Sequence, residues 1–203
     1  MINSSKAPRK SCLGFAKLDG SNIRVKYSPD RGFNLFGTRH TLMDESHPHL
    51  GEAVALFHQN MAKPLTDYFK KAWRREREIV VFAEFFGAQS FAGIHVPGDP
   101  KQLVIFDILI GHKMRKFIPP REFVKHIAPL VPTPELLYEG NLNEQLIADV
   151  RHGKYPVDEG MICKGTETTG SAAGGIWMCK IKTQAYLDKI KARHPENWQK
   201  FWE

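Results

Sequence analysis

Residues 17–22 read Lys-Leu-Asp-Gly-Ser-Asn, set between two apolar stretches, 12–16 and 23–27, that read as strands joined by a turn. A turn lysine with an acid two residues later, and glycine after that, differs from a surface lysine on a helix. It suits a nucleophile held at the mouth of a pocket. An ordinary lysine titrates near ~10.4, so at neutral pH it is almost wholly protonated and cannot attack. Neighbouring cations disfavour one further positive charge, so basic residues that the fold brings to Lys17 would favour its neutral form. Such an ammonium cluster would also neutralise a negatively charged electrophile.

The elements that must carry these residues can be read from patterning. Residues 12–40 read as short strands with turns at Asp19-Gly20, Ser28-Pro29-Asp30 and Arg31-Gly32. Residues 52–62 read as a helix ended by Pro64. A second helix then begins, with Leu65, Tyr68, Phe69, Ala72 and Trp73 at i, i+3, i+4, i+7, i+8 and with Lys70, Lys71, Arg74 and Arg75 on its other side. Dense apolar runs at 79–86 and 103–110 read as buried strands. A helix is expected at 121–128, and Asn141 with Glu144 resembles a capping box opening a helix to 150. Residues 161–164 and 176–182 read as strands flanking a Gly-rich link, 170–175, with Thr183 capping a last helix. Strands and helices do not alternate regularly, so the expected class is α+β with largely antiparallel sheets. No linker separates domains, which makes 1–203 one domain on this reading.

Composition bounds the function. The chain has 203 residues, 42% of them hydrophobic, enough to bury a core. No apolar run is long enough to span a bilayer, and the first dozen residues lack the apolar centre of a secretory signal, so the expected location is cytoplasmic. Three cysteines, Cys12, Cys163 and Cys179, fit no Cys-x-x-Cys pattern and read as buried free thiols. The net charge of +7 suits a polyanionic partner, nucleic acid being the commonest. The Gly-rich link lacks the Lys-Ser/Thr of a phosphate loop and reads as a turn, and His47-Pro48-His49 lacks a suitably spaced third metal ligand. Trp198, Phe201 and Trp202 read as a seal on the core.

Six segments follow one another: 17–22; Phe36-Gly37-Thr38-Arg39; Phe82-Ala83-Glu84-Phe85-Phe86-Gly87; Ile105-Phe106-Asp107-Ile108; Asp158-Glu159-Gly160-Met161-Ile162-Cys163-Lys164; and Lys180-Ile181-Lys182-Thr183. Their order and spacing resemble the covalent nucleotidyltransferase superfamily of polynucleotide ligases and messenger-RNA capping enzymes. Within it, Pro119-Pro120-Arg121-Glu122-Phe123 and Leu137-Tyr138-Glu139-Gly140 look like the phage-type nick-sealing RNA ligases. The resemblance covers about residues 12–185. It implies an ATP-grasp-like adenylyltransferase core in which Lys17, supported by Asp19 and Gly20, attacks the α-phosphorus of ATP to form a lysyl-AMP intermediate. AMP then passes to a 5′-phosphate on nucleic acid, and a 3′-hydroxyl seals the strand. Glu159, Lys180 and Lys182 join Lys17 as catalytic residues.

The same resemblance gives Glu159, Glu84 and Asp107 to a divalent Mg or Mn ion. It gives Phe106 to stacking on adenine, and Asn22, Arg39, Glu84 and Lys164 to contacts with the nucleotide or its phosphates. Strand alternation would put Asp107 on the sheet face opposite Phe106. Ala16 stands where related ligases often carry a polar side chain, so any base contact there must come from the backbone. About twenty residues follow Lys182, too few for the OB domain of capping enzymes and DNA ligases; that points to RNA as substrate. The C-terminal helical domain usual in phage-type enzymes is also not in this sequence, so sealing could need a protein partner. The alternatives are a small DNA nick ligase, a GTP-using capping-like enzyme, or a nucleic-acid-binding protein without catalysis.

Overall fold

A computed structural model describes residues 10–88, 98–112, 115–168 and 175–201. The chain forms an α+β structure with two antiparallel sheets, divided into two compact units. The first comprises the chain up to Leu18, Glu135–Thr168 and the chain from Ile176 onward; the second is built mainly from Asp19–Pro134. Among the described residues no helix is long and apolar enough to cross a membrane.

The second unit holds strands β2 (Ser21–Ser28), β3 (Gly32–Gly37), β4 (Leu42–Met43), β5 (Ile79–Phe86), β6 (Gln102–Ile110) and β7 (Lys116–Phe117). They pair in the order β4-β3-β2-β5-β6-β7. Alternation on the central strands sorts their residues by face. Ile23, Val25 and Tyr27 of β2, with Ile79, Val81, Ala83 and Phe85 of β5, enter the core. There they meet Ala53, Val54 and Phe57 of helix α1 (Gly51–Asn60), Leu65 and Phe69 of α2 (Ala62–Ala72), and Phe123 of α3 (Pro120–His126). The helices thus cover one face of the sheet, and the intervening residues of β2 and β5 lie on the other.

The first unit pairs β1 (Ser11–Lys17), β8 (Leu136–Asn141), β9 (Gly160–Thr168) and β10 (Ile176–Lys182) in the order β10-β9-β1-β8. Helix α4 (Glu144–Arg151) packs Leu146, Ile147 and Val150 against Cys12, Met161, Cys163, Cys179 and Ile181. Helix α5 (Gln184–Arg193) follows β10 directly. All three cysteines are buried and free.

Several boundaries differ from the sequence reading. The break between α1 and α2 falls at Met61, and Pro64 lies inside the first turn of α2, where a missing N–H costs nothing. The cap of α4 is Asn143, whose Oδ1 accepts a 2.8 Å hydrogen bond from the Leu146 amide, so Asn141 ends a strand instead. That strand, β8, is not among the elements predicted from the sequence, and β9 runs four residues past Lys164. Phe106 and Asp107 share a face. Opposite Phe82/Ala83 the β5–β6 register slips by one residue, pairing Phe82 with Asp107 and Ala83 with Ile105. Ile105 and Ile108 both enter the core, so the bulge leaves the two residues between them on the other side. The Gly-rich link up to Gly174 and Trp202 lie outside the described residues.

Candidate active site

The first unit gathers its charged residues by strand register. Met161 and Cys163 of β9, and Cys179 and Ile181 of β10, face α4, so Lys164, Lys180 and Lys182 face the other way, as does Lys17 of β1. Lys17 pairs with Gly160 and Gly160 with Lys182. The two lysines are thus separated in their row only by a glycine without a side chain. Gly160 is obligatory on two grounds. Its φ is +153°, and a Cβ there would lie 2.0 Å from the Ile181 carbonyl oxygen.

Glu159, just before this row, is 3% exposed. Its Oε2 is 2.5 Å from Lys17 Nζ and its Oε1 is 3.7 Å from Lys182 Nζ. One buried carboxylate therefore bridges two ammonium groups from strands on either side of β9. The sequence reading brought cations to Lys17; the structure adds an anion as its direct partner. Burial holds the Lys182 pKa below the ordinary lysine value, Glu159 opposes this, and Lys17 and Lys180 push the same way as burial. Lys182 Nζ also lies 5.3 Å from the centre of the Tyr186 ring. Lys164 is buried on the same face, its Nζ 5.3 Å from the Phe15 ring centre, whereas Lys180 is exposed.

Thr183 fixes Glu159 and was read from sequence only as a cap. Its amide donates to the Glu159 carbonyl at 3.0 Å, and its hydroxyl donates to the Asp158 carbonyl at 2.7 Å. The same hydroxyl oxygen accepts from the Tyr186 amide at 3.1 Å, capping α5. One side chain thus ties the start of β9 to the end of β10 and the first turn of α5. A threonine closing a Lys-x-Lys strand end was the available signal.

In the second unit, Asn22, Glu84, Phe106 and Asp107 lie on the sheet face away from the helices. Asn22 pairs with Glu84, and Arg24 with Phe82, which in turn pairs with Asp107. Phe82 and Phe106 have ring centroids 6.3 Å apart, so Phe106 joins an aromatic cluster on this face. Asp107 is buried at 6% exposure. Gly20 permits a close approach, since a Cβ there would come within 2.4 Å of the Phe85 carbonyl oxygen. Arg39 is exposed in the turn after β3, which the Thr38 amide closes by donating to the Thr41 carbonyl. His47 accepts the Leu50 amide through Nδ1 at 3.2 Å and so closes the entry to α1. Among the described residues no group of three or more His, Cys, Asp or Glu side chains is arranged to hold a metal ion.

The sequence pattern of the RNA ligase family matches residues 13–182, and the chain belongs to that family. No curated protein matches it by sequence. Among solved structures it is similar to Naegleria gruberi RNA ligase in several forms. To an apo aspartate-to-alanine mutant the TM-score is 0.67 at 19% identity, covering 93% of this chain and 54% of that one. To the enzyme with PPi it is 0.67 at 18%, covering 91% and 53%. To a lysine-to-alanine mutant with ATP and Mn it is 0.65 at 17%, covering 89% and 52%. The likeness at this identity is one of fold, and the chain spans about half the length of the structures it matches.

Proposed function

We propose that this chain is an ATP-dependent RNA ligase that works through a covalent AMP on Lys17. The observation that carries the reading is the Lys17–Glu159–Lys182 bridge. It holds a strand-end lysine on a buried carboxylate, with a second lysine on the other carboxylate oxygen. Membership of the RNA ligase family supports RNA as the substrate, and the ATP, Mn and AMP in Naegleria RNA ligase structures support ATP and a divalent ion as what the protein uses.

In the first step Lys17 Nζ gives up a proton to solvent and attacks the α-phosphorus of ATP. A P–N bond forms and the P–O bond to pyrophosphate breaks. Lys182 and Lys180 carry the positive charge that meets the phosphates, and Thr183 keeps Glu159 in register with Lys17. Phe106 offers a ring face for adenine, and Asn22, Arg39 and Lys164 offer donors for phosphate oxygens. An oxygen of an RNA 5′-phosphate then attacks the AMP phosphorus, the P–N bond to Lys17 breaks, and the released amine takes up a proton. Attack by a 3′-hydroxyl on that activated phosphate joins the strands and expels AMP.

The donor set suits Mg or Mn. Magnesium keeps several of its waters and takes one or two carboxylates together with substrate phosphate, so a complete protein cage is not required. Glu159 in the first unit, and Glu84 and Asp107 in the second, are the carboxylates each unit would offer such an ion. When bound at Glu159, it would supply charge that weakens that carboxylate's hold on the Lys17 ammonium and neutralises the phosphates. The test is incubation with ATP and magnesium, followed by peptide mass spectrometry. The expected result is one AMP on Lys17, absent from Lys17→Ala. The same adduct in Lys17→Ala refutes the assignment. Parallel incubations with GTP, and with nicked RNA and nicked DNA, separate this reading from a capping-like enzyme and from a DNA ligase.

A further inference from the structure

The helix-free face of the second unit carries charge that the adenylylation chemistry does not use. Residues 22, 24 and 26 of β2 are Asn, Arg and Lys, all on this face because Ile23, Val25 and Tyr27 enter the core. Alternate residues along a strand stand about 6.7 Å apart, so Arg24 and Lys26 continue the line begun by Asn22. The guanidinium of Arg24 is exposed and lies over the Phe82 ring, 5.6 Å from its centroid.

The line ends on Glu78, a carboxylate 6% exposed just before β5. Its Oε2 lies 2.6 Å from Lys26 Nζ, and its Oε1 accepts a 2.7 Å hydrogen bond from Arg115. His112 Nδ1 lies 3.6 Å from Oε2. Two permanent cations thus share one anion, which orders their head groups and leaves a net positive charge. The residues just before Glu78 in the chain are also basic. Arg74, Arg75 and Arg77, in the turn between α2 and β5, are exposed. Among the described residues these three and Arg24 make no ion pair.

We infer that Arg24, the Lys26–Arg115 pair held by Glu78, and the exposed Arg74, Arg75 and Arg77 that lead into Glu78 bind the phosphodiester backbone of an RNA strand. The inference deepens the ligase reading and rests on it for the identity of the polyanion. The chemistry favours a polynucleotide. Arginine presents a planar fork to phosphate oxygens, and the Arg24–Phe82 stack adds an aromatic surface of the sort single strands use. A lipid surface fits poorly, because an interfacial helix needs an apolar face directed outward. Here the apolar residues of α2 turn inward: Leu65 and Phe69 are in the core, with Trp73 packed against it.

The experiment measures binding of a fluorescent 5′-phosphorylated RNA strand to the full chain, without ATP, across a salt series. It compares the protein with a variant carrying Arg74→Gln, Arg75→Gln and Arg77→Gln, and with Arg24→Gln alone. Each phosphate contact on a single strand contributes about 0.7 to the salt slope, so the triple variant should lose about 2 and bind about a hundred-fold more weakly at 0.1 M salt. Arg24→Gln should lose less than 1. AMP attachment to Lys17 should be unchanged in the triple variant, whose side chains are outside the proposed adenylylation machinery. An unaltered slope in both variants overturns the inference. So does absence of RNA binding by the parent protein, or binding to phosphatidylserine vesicles in its place. If the slopes fall as expected but no AMP adduct ever forms on the parent protein, the surface stands and the ligase reading fails. An adduct with unaltered slopes means the reverse.

Discussion

Replacing Glu159 by glutamine removes the anion shared by Lys17 and Lys182 and leaves the shape of the side chain nearly intact. With the Lys182 ammonium 3.7 Å from Oε1, Coulomb's law at an effective dielectric near 20 makes that attraction about 4 kcal/mol. The attraction is offset by the cost of burying the charges, so it is not the net worth of the bridge. Truncating one partner of a buried pair is nonetheless expensive, because the remaining charge stays desolvated; the expected loss is about 3 kcal/mol at pH 7. For a chain of this size that lowers the melting temperature by about 10 °C.

The pH dependence makes the argument specific. Burial, Lys17 and Lys180 all lower the Lys182 pKa, and Glu159 is what opposes them. Without Glu159 the Lys182 pKa falls further below its unfolded value. Between those two values the unfolded chain holds more protons than the folded one, so stability rises with pH. The deficit of Glu159→Gln relative to the parent protein should therefore shrink as pH climbs from 7 toward 10. Urea titrations at several pH values measure it. A deficit that stays constant or grows with pH would refute the reasoning, as would an unchanged midpoint at pH 7.

Three further outcomes are expected. Thr183→Val removes both the hydroxyl donor to Asp158 and the acceptor for Tyr186; it should cost about 2 kcal/mol by urea unfolding and slow AMP attachment to Lys17, with Thr183→Ser restoring both. Gly160→Ala places a Cβ 2.0 Å from a backbone oxygen at φ +153°; no flexible side chain can yield there, so it should cost at least about 3 kcal/mol, read as loss of a cooperative unfolding transition or of soluble protein. Glu78 has its pKa held below the ordinary carboxylate value, first by its hydrogen bond to Lys26 and then by the charges of Lys26 and Arg115 against the cost of burial. Its contribution is therefore present above the unfolded value of about 4.3 and lost as pH falls through the folded one. Glu78→Gln should cost about 1–2 kcal/mol at pH 7 and leave a shallower loss of stability in acid, measured by the pH dependence of the urea midpoint.

Much of this arrangement is legible in the sequence, for identifiable reasons. The strands at 79–86 and 103–110 are apolar enough to announce themselves, and Thr183 caps where its residue type and position say it should. Other features depend on contacts that no local pattern encodes. β8 was missed because its residues are exposed or half-buried without regular alternation, so neither strand periodicity nor a dense apolar run marks it; its pairing with β1 makes it a strand. The Phe106–Asp107 bulge was missed because strict alternation is the default expectation, and only a core residue at both 105 and 108 reveals the extra residue. The anion beside Lys17 was missed for a related reason. Glu159 was read, from the resemblance, as a catalytic residue and metal ligand, and nothing in its local sequence says which strand end it will touch.

Register explains how residues far apart in sequence become one chemical group in the first unit. Lys17, Gly160 and Lys182 occupy one row because β1 and β10 both pair with β9 at Gly160. A slip of one residue in either pairing would carry the lysine of that strand to the α4 side and place an ammonium among Met161, Cys163 and Ile181, in a core that offers it no partner. Gly160 resists such a slip, since the Ile181 backbone occupies the space where any other residue would carry its Cβ. Thr183 resists it as well, through hydrogen bonds to the two residues before Gly160. The short motif Glu-Gly thus joins charge and alignment: the acid bridges the two lysines, and the glycine fixes the register that delivers them.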